Sequence, residues 1–202
     1  DVLASSTGSY TSLSKLMKTF KSVKNKTLSD KTIKNYIDFL MDSFLISKAT
    51  RYDIKGKKYI GSPAKYYFED VGLRNARLGF RQVEENHLME NIIYNELRIR
   101  GYHVDVGVVE HYSANSAGKR EKRQLEVDFV ATLGSDKCYI QSAFAMPSSD
   151  KAEQERRSLL SISDSFRKII VVGRDQKVRR DENGIATIGI QKFLLDENSL
   201  RL

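Results

Sequence analysis

The sequence predicts a mixed α/β chain in two parts, an N-terminal winged helix-turn-helix and then a mixed-sheet domain of order α-β-β-β-α-β. Three observations carry that prediction. Two short amphipathic segments precede a glycine-centred, lysine-rich hairpin pattern within the first 60 residues. Glu84 to Arg100 is the longest helical pattern and marks a change of character. Leu125–Val130 and Tyr139–Ala143 alternate with period two about the turn residues Gly134-Ser135-Asp136, the signature of a strand hairpin.

Taken in order, Ser12 to Phe20 reads as a helix with Leu13, Leu16, Met17 and Phe20 on one face. Ser29 or Asp30 caps a second helix, whose Ile33, Ile37, Leu40, Met41 and Phe44 form a stripe that excludes Lys31, Lys34 and Asn35. Leu45–Asp53 and Lys57–Ile60 flank Lys55-Gly56 as a hairpin rimmed by Arg51, Lys55, Lys57 and Lys58. Helix, helix and basic hairpin is the order of a winged helix, with the second helix placed as the recognition helix. Lys65–Phe68 reads as a separate short strand, and Asp70 caps the segment after it. A linker is expected near Gly79–Gln82, dividing the chain into 1–80 and 81–202.

In the second part, Leu88, Met89, Ile92, Ile93 and Leu97 line the long helix, and Gly101 is placed to end it. Val104, Val106 and Val108 alternate as a strand, whereas the polar, charged stretch His111–Arg123 reads as a loop. Alternation then puts Leu125, Val127 and Phe129 on one face of the next strand and Glu126 and Asp128 on the other, so that Asp128 can meet Gln141 across the hairpin. Ser148 or Ser149 caps a helix to about Leu160. Lys168–Val172 follows as a buried strand, parallel to its predecessor through a right-handed crossover. Ile185–Ile190 and Gln191–Leu195 add a strand and a closing helix.

Composition limits the possible chemistry. The net charge is +8, and residues 1–60 hold 12 Lys and Arg against 5 Asp and Glu, so nearly all the excess sits at the front. Concentrated positive charge suits a polyanion, because neutralised phosphates release counterions. A solvated lysine-rich surface is the alternative. One cysteine, Cys138, excludes an internal disulfide. No apolar run approaches the roughly 20 residues of a membrane helix, no signal peptide opens the chain, and a cytoplasmic location without membrane contact is expected. Because the chain opens on Asp1 inside a polar run, it reads as a piece of a longer protein. There is no phosphate-binding loop for ATP, no Gly-x-Ser-x-Gly elbow and no zinc-like spacing among His87, His103, His111 and Cys138. Tyr66, Tyr67 and Tyr94 read as core or interface residues rather than base-stacking platforms.

The segments Leu28–Tyr36, Arg51–Gly56, Lys65–Asn75, Glu90–Leu97, Glu126–Val130 and Tyr139–Gln141 together resemble the C-terminal region that follows the ATPase core in many prokaryotic AAA-type ATPases. Its second half is similar to the restriction-endonuclease-like superfamily. That resemblance implies a partnership with the protein's own ATPase domain, ATP bound only outside this chain, and DNA as a partner. It implies Mg²⁺ only if the nuclease site is functional, held by Glu90 or Glu96 on the helix, Asp128 and Gln141. The superfamily's catalytic lysine falls on Ala143, whose methyl can neither polarise water nor pair with phosphate. Lys151, Arg156 or Arg157 could replace it from the following helix, or Glu126 could add a ligand. Alternatively, Asp128 and Glu126 pair with Arg120, Lys122 or Arg123. The expectation is a DNA-binding module with Lys31, Lys34 and Asn35 at the groove and Arg51, Lys55, Lys57 and Lys58 on phosphates, joined to a degenerate nuclease-like domain. A metal-dependent nuclease and a protein-docking module are the alternatives.

Overall fold

Hydroxyls and carboxylates at the expected positions start the N-terminal helices in the computed structural model, which describes residues 1–82, 84–114, 120–145 and 149–201. After a short turn α1 (Val2–Ser5), the Ser12 hydroxyl accepts from the Lys15 amide to open α2 (Leu13–Lys24). Ser29 does the same for Thr32 at the start of α3 (Asp30–Asp42). Leu16, Ile33 and Ile37 from these helices bury against Ile46, Ala64 and Tyr66 of strands β1 (Ile46–Asp53) and β2 (Lys58–Phe68). Asp70 caps α4 (Val71–Arg77), and α5 (Glu85–Ile99) follows. Asn91 on α5 accepts from the Phe68 amide at 2.9 Å and donates to the Phe68 carbonyl at 2.7 Å, giving the end of β2 the partners a neighbouring strand would supply.

Two compact units divide the chain, Asp1–Thr50 with Ile60–Asn95 and Arg51–Tyr59 with Glu96–Leu202, so that β1, β2 and α5 each contribute to both. In the second unit α5 ends in a Schellman motif: the Gly101 amide (φ +84°) donates to the Arg98 carbonyl and the Tyr102 amide to that of Leu97. A mixed sheet follows. Strands β3 (His103–Ala114), β4 (Arg120–Leu133) and β5 (Asp136–Ala143) are antiparallel neighbours. Helix α6 (Ser149–Leu160) then leads to β6 (Arg167–Val172), which runs parallel to β5. Beyond it lie the two-residue β7 (Arg179–Arg180), β8 (Ala186–Gly189), parallel to β6, and the closing α7 (Ile190–Leu195). On the other side of β3, residues Arg51–Asp53 of the hairpin pair in parallel with Val106–Val108. Leu159 and Ile162 pack with Val127, Val130, Tyr139, Ala143, Ile170 and Val172 to form the core of this unit. Arg100 holds the C-terminal segment, donating to the Phe193 carbonyl and the Ser199 hydroxyl while its guanidinium lies over the Phe193 ring.

The structure corrects the sequence reading at several points, the simplest being Phe44, which lies beyond the end of α3 and is 81% exposed rather than on that helix's apolar stripe. His111–Ala114 and Arg120–Arg123 are strand rather than loop: the backbone ladder continues through them, with His111 opposite Arg123 and Tyr112 opposite Lys122, and Lys122 reaches diagonally to Glu110 at 2.5 Å. Lys65–Phe68 is the second half of the continuous β2, in which Pro63 occupies an edge strand where a missing N–H is tolerated. The expected face of β4 holds for Leu125 and Val127 but passes to Val130 instead of Phe129. Ser148 and the side chain of Ser149, the two expected caps of α6, lie outside the described residues.

Candidate functional site

A β-bulge shapes the one place where the acidic residue, the glutamine and a lysine-bearing helix come together. Gly107 pairs with Val127 and Asp105 with Val130, so two residues of β4, Asp128 and Phe129, oppose the single Val106. Such an extra residue bends its strand and re-aims its side chains, which is why Val127 and Val130 both reach the α6 side. Both crowd Gly107, where a Cβ would sit 2.9 Å from Ile54 Cδ1, Val127 Cβ and Val130 Cγ2.

At the bulge the β4–β5 ladder stops at the pair Phe129–Ile140, and side chains take over the hydrogen bonding. Gln141 Oε1 accepts from the Asp128 amide at 3.4 Å, and Asp128 Oδ2 accepts from the Ser142 amide at 2.8 Å. Helix α6 completes the network. Gln141 Nε2 donates to Glu155 Oε2 at 3.2 Å, the Ser158 hydroxyl donates to Gln141 Oε1 at 3.4 Å, and Lys151 pairs with the other Glu155 oxygen at 2.8 Å. Asp128 and Gln141 are 7% and 8% exposed, so each unmade bond here would cost about 1–3 kcal/mol.

Of the residues expected at this site, the structure therefore brings together Asp128, Gln141 and Lys151. Ala143 sits in the apolar core beside the network. Arg156 turns to Asp181 at 2.6 Å, and Arg157 is exposed on the same helix. Lys122 and Arg123 pair with Glu110 and Glu121, and the Arg120 side chain lies outside the described residues. Glu126 is half-buried on β4. The two helix acids have other work. Glu90 belongs to the first unit, where its Oε1 accepts from Lys65 at 2.8 Å and from the Tyr67 hydroxyl at 2.6 Å. Glu96 pairs with Arg100 at 2.8 Å.

This donor set does not fit the divalent cation that the superfamily resemblance implies. Asp128 Oδ2, Gln141 Oε1 and both Glu155 oxygens hold protein donors, and among the described residues no three His, Cys, Asp or Glu side chains converge in a metal-competent group. As arranged, the network closes the end of a strand pair and fixes α6 on the sheet.

Glu155 and Ser158 were not nominated by the sequence reading, although the Lys151/Glu155 spacing of four is a readable helix-surface pair. A second acid, Asp105, was also missed, its signal being a carboxylate between Val104 and Val106 in an alternating strand. It is 6% exposed, accepts from Tyr59 Oη at 3.2 Å and lies 3.2 Å from His103 Nε2. Burial pushes its carboxyl above the usual range, opposed by His103 and Tyr59.

The expected nucleic-acid residues are on the surface in their respective units. Lys31, Lys34 and Asn35 are exposed on α3, with Lys34 paired to Asp38 at 2.6 Å. Lys55, Lys57 and Lys58 are exposed at the hairpin tip, whose turn is closed by the Gly56 amide donating to Asp53 Oδ1 at 2.9 Å. Arg51 is half-buried and donates to Gln124 Oε1 at 3.3 Å.

Two family models match the chain, one described as a domain of unknown function (DUF8612) over residues 1–84, the other as a domain of unknown function (DUF4143) over residues 85–193. An uncharacterised protein of Haemophilus influenzae is 34% identical over 193 residues, covering 96% of this chain and 44% of that protein. An uncharacterised protein of Methanocaldococcus jannaschii is 27% identical over 140 residues, covering 69% of this chain and 29% of that protein. The chain thus spans less than half the length of these curated relatives. No helix among the described residues is long and apolar enough to cross a membrane.

Proposed function

The chain belongs, through residues 85–193, to the family described as a domain of unknown function (DUF4143), and from that premise we propose that it is a nucleic-acid-binding module whose nuclease-like unit binds rather than cuts. In this reading it is the C-terminal part of a longer AAA-type ATPase. The observation that carries the proposal is the exposed cation set of α3 and the hairpin, drawn from a 60-residue stretch with 12 basic and 5 acidic residues. Lys31 and Asn35 on α3 would face a groove in the manner of a winged helix, and Lys55, Lys57 and Lys58 would hold phosphates. The helix–strand order of the second unit supports a nuclease-like ancestry. Its engaged carboxylates and Ala143 support loss of cleavage.

The test is a titration of the purified chain onto labelled duplex DNA, with EDTA in one series and Mg²⁺ plus Mn²⁺ in the other. A shift without cleavage in both series is expected. Metal-dependent fragments that vanish in Asp128→Asn would replace this reading with a nuclease. Absence of any shift would leave docking to a protein partner as the better account.

A further inference from the structure

The end of the second unit's sheet remote from α6's lysine carries a row of aromatic rings, Tyr59, Tyr52 and Phe166, with Lys137 between the last two and further cations beside Phe166. By register, His103 faces Thr132, Thr132 faces Lys137, and the neighbouring Cys138 faces Arg167, so these strand ends share one edge of the sheet. The Tyr59 and Tyr52 rings meet edge-on at 5.4 Å between centroids. Lys137 Nζ then lies 5.6 Å from the centre of the Tyr52 ring and 5.2 Å from that of Phe166. Beside Phe166 opens a cleft of about 210 Å³ lined also by Lys168, Arg180 and Asn183.

Two features separate this row from a core that happens to reach the surface. Tyr59 is 59% and Phe166 40% exposed, so neither ring is buried by the fold. Of the acids nearby, Asp136 pairs with Arg167 and Asp105 accepts from Tyr59 beside His103, while Asp164, in the wall of the same cleft, accepts from the Tyr139 hydroxyl at 2.5 Å and keeps its charge. Among the described residues neither Lys137 nor Arg180 has an ion-pair partner, and with Lys168 they outnumber the one acid of the cleft, Asp164, so the row is net positive. Exposed π faces alternating with cations suit a ligand that itself alternates flat rings with anions.

The geometry points to a binding site for single-stranded nucleic acid, with bases stacked on Tyr59 and Phe166 and phosphates met by Lys137 and Arg180. This goes beyond the duplex-binding reading, since it uses neither α3 nor the hairpin lysines Lys55 and Lys57. It makes the second unit a binder in its own right rather than a remnant.

The experiment uses the whole chain and fluorescein-labelled dT12, followed by anisotropy, with an abasic 12-mer of the same backbone and poly-L-glutamate as competitors. Because the chain has 10 tyrosines and no tryptophan, stacking is also read as tyrosine quenching on adding unlabelled dT12. Tyr59→Leu and Phe166→Leu keep apolar bulk and remove the π face. Each is expected to weaken dT12 binding at least about five-fold, the lower end of what one stacked base contributes. Lys137→Gln, which keeps most of the half-buried stem and removes the charge, should lower both the affinity and its salt dependence. Circular-dichroism melts confirm that each variant is folded. Unchanged dT12 affinity in both leucine variants, or an abasic backbone that binds as tightly as dT12, would overturn the proposal. Poly-L-glutamate displacing dT12 as well as unlabelled dT12 does would overturn it in favour of an acidic polypeptide partner.

Discussion

Asp105 and Glu90 are both buried acids, and what surrounds each sets opposite consequences for substitution. The Asp105 carboxyl titrates above its ordinary value, chiefly through burial. A raised carboxylate pKa means the folded state holds the proton more tightly than the unfolded chain. The group therefore opposes folding once pH rises through its folded value, and the opposition fades as pH falls. Asp105→Asn should stabilise the protein at pH 7 and lose that advantage toward pH 4; urea midpoints of both proteins across this range will show it, and a constant difference would refute the assignment. Glu90 instead neutralises Lys65, whose side chain is 5% exposed. Glu90→Gln removes the carboxylate charge opposite that buried ammonium and should cost about 3–5 kcal/mol, while adding Lys65→Met should restore much of the loss. Equal destabilisation by the single and double variants would count against the pair.

Among elements, β4 decides the character of the second unit. Its bulge places Val127 and Val130 on one face and so leaves Gly107 no room for a side chain. Gly107→Ala should cost about 2 kcal/mol through overpacking, and Val130→Ala in the same chain should relieve part of it. Additive losses in the double variant, measured by denaturant unfolding, would show that the crowding is not the cause. The bulge also marks where alternation stopped being informative. Period two gave Leu125, Val127 and the meeting of Asp128 with Gln141 from the sequence alone. It misplaced Phe129, because an inserted residue has no composition signal and only cross-strand register reveals it. The strand ends at His111–Ala114 and Arg120–Arg123 were hidden for a different reason: their polar and charged side chains read as loop, and only the backbone register makes them strand.

At the scale of the whole molecule, helix starts were among the more legible features: Asp70 caps as expected and Ser29 is the one of two candidates that does, while Ser12, read as helical, is itself a cap. The parallel β5–β6 pair followed from the strand–helix–strand order. What could not be read was long-range: the hairpin's pairing with β3, the commitment of Glu90 to Lys65 and the arrival of Glu155 at Gln141 join residues distant in sequence or face. The charge asymmetry, by contrast, is a property of the sequence and makes a prediction at this scale. If Lys57 and Lys58 each neutralise a phosphate, reversing both should weaken duplex binding for all sequences alike and flatten the log–log salt slope by roughly 2. An unaltered slope would remove the hairpin from the interface.

The side-chain closure of the β4–β5 seam gives Asp128 and Gln141 a double allegiance. Along the paired registers the hydrogen bonds are made by the backbone and outlast most side-chain changes; at this seam they are written in two side chains and can be erased. Trimming Asp128 to alanine would unfasten the strand end together with any chemistry the carboxylate performs, so a lost activity would be uninterpretable. Asparagine keeps an oxygen for the Ser142 amide while discarding the charge. Of the simple replacements it is the one that lets architecture and reactivity be judged apart.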